Sequence, residues 1–520
     1  MRLAIDRQGA SEDEIDCSKR KGRFRHPLRL FRALKGMVNM HKKTEHILKI
    51  FEELSKIPRC SGNEGAVRAW LLNWAKEREL EAQQDAIGNV LINVPGSKGY
   101  ESSPTVALQG HLDMVCEKLP ESTHDFSQDA IQLVYHDEWL SANGTTLGAD
   151  NGIAIAIALA LATDEKVSHP PLELFFTVEE ETGMTGVKGL EPDALQAKRL
   201  INLDSEEEGT IIIGCAGSQQ TELFLPLLYE DTPEGYRAYR LAASKMKGGH
   251  SGVEINAQRA NAIQVIARMA DILTRQGDLR FQSIQGGTVG NAIPRDAEAI
   301  IFFPEHLVDQ NIRCVADVQN VLRSEYAQTD PELTLDLTAY AEVQDNRAMS
   351  AACTRKAVDF LLALPHGPAA MSAEIPEFVE TSNNLAKVRV ADGRLYVLST
   401  QRSNVFSRQQ AHTNRIEALA RLAGAEAKSS EGSQPWEANW NSPLAEACRK
   451  VYKRRFRKEP KITIIHAGLE CGMIGTKIAG MDMISFGPTI QNPHSPSERI
   501  HLASIGKVWD LLIGLLKDMK

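Results

Sequence analysis

Leu172-Glu173-Leu174-Phe175-Phe176-Thr177-Val178-Glu179-Glu180-Glu181 is an apolar run that stops in three consecutive acids. The run has the length and the aromatic and β-branched content of a strand buried on both faces. Charge runs are ordinarily solvated. Three acids capping a buried strand, however, repel one another unless a cation sits among them. Gly183 and Gly186 follow, as a close backbone approach requires.

Working outward, the same alternation recurs on both sides. Val90–Val94, Thr105–Gln109 and Leu200–Asp204 read as strands, and Ile153–Leu161 reads as a buried helix after a glycine turn. Upstream, Ile47, Leu48, Phe51 and Leu54 have helical spacing that Pro58 ends. Strands alternating with helices predict an α/β layer with a mainly parallel sheet. After Thr210 the character changes. Longer strands at 219–227, 236–244 and 297–303, with helices near 260–273 and 307–326, predict an α+β unit. Ser429–Pro435 reads as a linker. The α/β pattern then returns, with a helix at 444–452, strands at 461–465 and 481–486 and a closing helix from Ser504. The expected organisation is a catalytic domain over 41–217 and 434–520, interrupted by an insert over 218–433.

A chain of 520 residues is too long for one ordinary domain, which agrees with that division. The net charge of -9 argues against a nucleic-acid binder. No apolar stretch reaches the roughly 18 residues of a membrane span, and acids at 6, 12, 13, 14 and 16 break any secretory pattern. Eight scattered cysteines with no CxxC pair predict reduced thiols in a cytoplasmic protein. Residues 1–40 carry a basic cluster and read as a solvated arm or an upstream start, with Met37 and Met40 as alternatives.

Candidate ligands fall at the predicted strand ends, where an open α/β sheet places its sites. His111-Leu112-Asp113 follows the strand ending at Gln109, and residues two apart in extended chain share a side. Asp150 sits in the glycine-flanked turn Gly148-Ala149-Asp150-Asn151-Gly152. Asp204 closes another strand, with Glu206–Glu208 behind it reading as a solvated run. Asn492-Pro493-His494 supplies a second imidazole after the strand ending at Phe486. Each is ordinary alone. Together, two histidines and three carboxylates suit two zinc ions, or manganese or cobalt, with one carboxylate shared.

The segments GHLDMVCEK (110–118), TLGADNGIAIA (146–156), EETGMTG (180–186), INLDSEEEG (201–209), GGHSG (248–252), GNAIPR (290–295), HAGLECG (466–472) and GPTIQNPHSPSER (487–499) run in order from about residue 41 to the end. In that order they resemble the dizinc superfamily of dipeptidases, aminoacylases and carboxypeptidases, and more closely its cytosolic non-specific, or aminoacyl-histidine, dipeptidases. The resemblance implies a dizinc peptidase domain interrupted by a lid. It implies His111, Asp150, Glu181, Asp204 and His494 as metal ligands, with Asp150 bridging. It implies Glu180 as general base and Asp113 as the acid that orients His111. In the lid it implies His250 as oxyanion donor, with Asn291 and Arg402 holding the substrate. His466 and Glu470 are expected to shape the pocket. Glu179 stands where the family's acidic triplet has Asp, at a position not expected to bind metal. Dipeptides, Xaa-His among them, are the implied substrates, and the family is compatible with a homodimer. An aminoacylase or deacetylase on the same scaffold is the competing reading. A binding protein on a dead peptidase fold requires losses among the seven metal-centre positions, and none is lost.

Overall fold

The computed structural model describes residues 41–343 and 345–520. The basic arm expected over 1–40 lies outside them. The decisive apolar run forms the strand Leu172–Thr177, buried at every position. It pairs in parallel with Val106–His111, which pairs in parallel with Arg199–Asn202. The full sheet runs, edge to edge, through strands beginning at residues 81, 90, 172, 106, 199, 482, 210 and 461. Its centre is parallel as expected. The 81 and 90 strands join it antiparallel, and so does the contact between the 482 and 210 strands.

Both faces are covered, which explains the unbroken apolar runs. Val90, Ile92, Val106, Leu108, Leu172, Leu174 and Phe176 pack on one side with helices Lys42–Leu54, Ala149–Ala162 and Leu502–Lys517. The alternate residues Leu91, Ala107 and Phe175 pack on the other with Leu200, Ile212, Trp436 and Ile474. Helix Lys42–Leu54 ends before Pro58, where the helical spacing stops.

A second, nine-stranded sheet lies between Gly217 and Ser429, beside two separate two-stranded ribbons, 229–231 with 347–349 and 249–250 with 292–293. Its pairings are antiparallel throughout, and helices such as Ala262–Gln276 and Ala351–Ala363 complete its own core. Where the chain leaves for this sheet and returns, the two passages pair with each other, Cys215 with Trp436 and Ser218 with Ser433. The expected linker is therefore held, with Ser430 and Ser433 donating to Gln220 and Ser218 carbonyls. A small four-stranded sheet pairs Ile490–Gln491 with Arg499–His501 and frames the loop that carries His494.

The expectation of reduced thiols fails. Cys60 and Cys116 form a disulfide with Cα atoms 5.7 Å apart. The pairing is invisible in spacing, because 56 residues separate the two. The fold lays Cys60 beside Met114 in a parallel bridge. Cys215, Cys314, Cys353, Cys448 and Cys471 are free. No helix among the described residues is long and apolar enough to cross a membrane.

Candidate metal centre

The parallel strands deliver their polar ends to one place. His111 is the last residue of its strand and only 1% exposed. Its Nε2 lies 3.1 Å from Asp150 Oδ1 and 3.4 Å from Asp204 Oδ1, and its Nδ1 lies 3.3 Å from Asp113 Oδ1. Asp150 projects from the start of the buried helix, after Gly148 has turned the chain at φ +68°. Its other oxygen lies 3.1 Å from His494 Nε2, which also meets Glu181 Oε2 at 3.0 Å. His111, Asp150 and Glu181 each direct a donor atom into one small volume, with those atoms within 4.8 Å of one another.

Asp113 organises this cluster from behind. Its carboxylate accepts the backbone N–H groups of Glu180 and Glu181 at 3.1 and 3.2 Å and the Ser61 hydroxyl at 2.7 Å. Burial pushes its carboxyl up, but His111, Ser61 and the Glu180 N–H outweigh it and bring the group down to about 2. The acid therefore remains charged and fixes both the His111 ring and the turn bearing the acids. That turn begins at Glu179, held at φ +51°. Of the two glycines after it, Gly186 is tightly enclosed, its missing Cβ meeting Asn89 and Val178, whereas Gly183 faces open space. Only Gly186 is there for close approach.

Among themselves these groups carry too much negative charge. Burial, together with the neighbouring acids, pushes the Glu180 and Glu181 carboxyls up and Asp204 up to about 6, despite the nearby His111. Glu181 Oε1 is buried without a hydrogen-bond partner, and Asp204 Oδ1 has only the long contact with His111. Buried oxygens without donors are costly. A hard or borderline divalent cation satisfies them, so the donor set fits metal.

The insert supplies a neutral imidazole from a small ribbon and a cation from the second sheet. His250 lies in the two-residue strand Gly249–His250, paired with Ala292–Ile293. Its Nδ1 accepts the N–H groups of Gly252 and Val253, at 3.2 and 3.1 Å, which leaves the proton on Nε2. Burial, then the charges of Arg402 and His494, lower it to about 4, so the ring is a neutral donor. Arg402 is 8% exposed, its Nε has no hydrogen-bond partner, and burial lowers it to about 10. Asn291 is exposed in the turn beside His250, where its carbonyl accepts from Ser251. No hydrogen bond draws its side chain into the cluster among the described residues. His466 sits under Arg402, taking a 2.7 Å contact from Ser382 and a 3.1 Å contact with Asn404.

Glu470, expected to shape the pocket, is fully buried and takes donors from Gln109 and Thr177, with Oε1 unpartnered. Other participants escaped the sequence reading. Glu206 is exposed, as expected, yet desolvation and then the neighbouring Asp150, Asp204 and Glu181 push its carboxyl up to about 8. Glu208 is likewise engaged, with Tyr452 and Lys507. Arg59 and Glu498 flank the Asp150 turn. Glu498 stands in the quoted segment 487–499, where only His494 drew attention.

The profile of peptidase family M20/M25/M40 matches residues 107–518. The chain belongs to that family. Within the M20 peptidases it is 40% identical over 470 residues to the cytosol non-specific dipeptidase of Escherichia coli K12, covering 90% of this chain and 96% of that one. It superimposes on the aminoacylhistidine dipeptidase of Vibrio alginolyticus with a TM-score of 0.79 at 33% identity, over 92% and 97% of the two chains. The aminopeptidase PepT of Bacillus cereus shares the fold at a TM-score of 0.54 and 14% identity, over 92% and 99%.

Proposed function

We propose that this M20 peptidase is a cytoplasmic dipeptidase of broad specificity, Xaa-His dipeptides included, that works with two zinc ions, for which cobalt or manganese can substitute. The observation that carries the reading is the juxtaposition of two unlike halves. A carboxylate-rich cluster has orphaned oxygens, a buried arginine has an Nε without a partner, and His250 stands near enough to feel the charges of both Arg402 and His494. A dipeptide zwitterion has one end for each.

In this reading His111, Asp150, Glu181, Asp204 and His494 hold the ions, and Asp150 is shared. Bound there, the ions supply Lewis-acid polarisation of the scissile carbonyl and lower the pKa of a water. Glu180 accepts the proton and returns it to the leaving amine. Its carboxyl, raised by burial and by Glu181 and Asp204, suits a group that must alternate between both states. His250 donates through Nε2 to the developing oxyanion. Arg402 takes the C-terminal carboxylate in its planar fork, and Asn291 lines the approach beside His250. Residues 41–217 and 434–520 form the catalytic unit, and 218–433 the lid that brings these groups over it. The cytoplasmic assignment draws on the name of the Escherichia coli relative.

The test is turnover of a dipeptide panel by metal-stripped protein, with and without added zinc, manganese or cobalt. Each dipeptide is paired with its N-acetyl form. Metal-restored cleavage of the free dipeptides is expected. Preference for the N-acetylated set would instead indicate an aminoacylase.

A further inference from the structure

The turn Leu147-Gly148-Ala149-Asp150 presents four successive backbone N–H groups, and the opening of a helix leaves such donors without intrahelical partners. One carboxylate accepts all four. Glu498 Oε2 receives Leu147 and Gly148 at 2.7 and 3.0 Å, and Oε1 receives Ala149 and Asp150 at 2.8 and 3.2 Å. On the carbonyl side of the same turn lies Arg59. Its Nη2 donates to Gly148 O, and its Nη1 donates to Leu112 O and Asp113 O at 3.0 and 2.9 Å. Both side chains are only 2% exposed. The room for the guanidinium comes from two glycines. A Cβ at Gly148 or at Gly152 would stand 2.5 or 2.6 Å from Arg59 Nη2.

Three segments thus meet through two side chains. Arg59 ties the His111–Asp113 segment to the turn, and Glu498 ties the turn to the His494 loop, which ends in Glu498 itself. Asp150 stands at the junction, its two oxygens reaching His111 and His494.

We propose that Arg59 and Glu498 are positioning residues that clamp the Asp150 turn between them and thereby set the affinity of the site for its metal. Neither touches the metal or the substrate. The inference rests on the metal-centre reading above and adds to it a cause for the geometry. Partners behind metal ligands typically contribute 10–100-fold in affinity.

Glu498→Gln separates this from a merely structural buried pair. The amide keeps one acceptor oxygen and turns an NH2 group toward the remaining N–H donors, so the turn loosens while the side-chain volume stays. In metal-stripped full-length protein, zinc affinity measured by competition with a chromophoric chelator should fall about 10–100-fold. Hydrogen–deuterium exchange without metal should quicken at residues 147–150 and stay unchanged in the second sheet. Arg59→Lys keeps the charge but cannot span three carbonyls, and should give a smaller loss of the same kind. It also serves if Glu498→Gln fails to fold. Wild-type zinc affinity in both variants, or faster exchange spread evenly over the chain, overturns the clamp. If wild-type protein takes up no zinc, the metal reading fails, and local exchange at 147–150 alone then decides the clamp.

Discussion

His111 and His494 approach opposite oxygens of one carboxylate, each with Nε2 3.1 Å from Asp150. The two rings come from segments more than 380 residues apart in sequence, and Asp150 is the group between them. Asp150→Ala should therefore lose most bound metal, measured by elemental analysis of purified protein, together with nearly all dipeptide turnover. Two ions per chain and near-normal turnover in this variant would refute the shared role.

Glu180 and Glu181 are adjacent but differently engaged. Glu181 meets His494 at 3.0 Å, whereas no ion pair holds the Glu180 side chain among the described residues. Glu180→Gln should cut kcat by about 10²–10⁴ with metal content preserved. Glu181→Gln should lose metal. The opposite pattern of metal loss would exchange the two roles.

Arg402, proposed to take the substrate's C-terminal carboxylate, predicts a preference for dipeptides over their amides. Leaving a buried, hydrogen-bonding charge without its partner costs about 2–5 kcal/mol, which is about 30-fold or more in kcat/KM. A dipeptide amide should be cleaved more slowly by at least that factor, and Arg402→Ala should largely erase the difference. Equal kcat/KM for acid and amide on the unaltered protein contradicts the assignment.

His466 gives stability a pH dependence of known sign. Burial, then Arg402 and His250, lower it to about 3, while an unfolded histidine titrates near 6.5. Below about pH 6.5 the unfolded chain takes a proton that the folded one refuses until about pH 3. Stability present above the unfolded value is therefore lost as the pH falls, by up to about 1.4 kcal/mol per pH unit. His466→Gln removes that term. The gap in apparent Tm between wild type and variant should narrow from pH 7 to pH 4, and a constant gap would show that the ring is not held neutral.

Much of the first sheet was legible because its strands are apolar on both faces. Val90–Val94 and Lys461–Ile465 have the bounds that composition suggests. The proposed ligand positions stood out for a related reason, since a polar residue ending an apolar run has to be explained. The hairpin Val379–Ala391 and Arg394–Ser403 was not. Its half nearest the site buries Thr381, Ser382, Asn383, Asn384, Thr400 and Gln401, bonded mostly to one another, to His466 and to neighbouring backbone, so that half carries no hydrophobic period. Arg59 and Glu498 were hidden differently. Their partners are backbone atoms far along the chain, and main-chain donors and acceptors leave no mark on composition. The Cys60–Cys116 pair had the same defect at the level of spacing.

The strand Asp482–Ser485 lies between Arg199–Asn202 and Thr210–Cys215 in the middle of the first sheet. Every strand of the second sheet has been made by Ser429. During synthesis the insert therefore has all its own pairing partners while the sheet that began first still lacks its centre. Residues 199–215 must wait, with open strand edges, for a segment made almost 270 residues later. Such distant pairings close slowly and expose edges in the meantime. A ribosome stalled between residues 430 and 480 would hold a finished insert on an unfinished base.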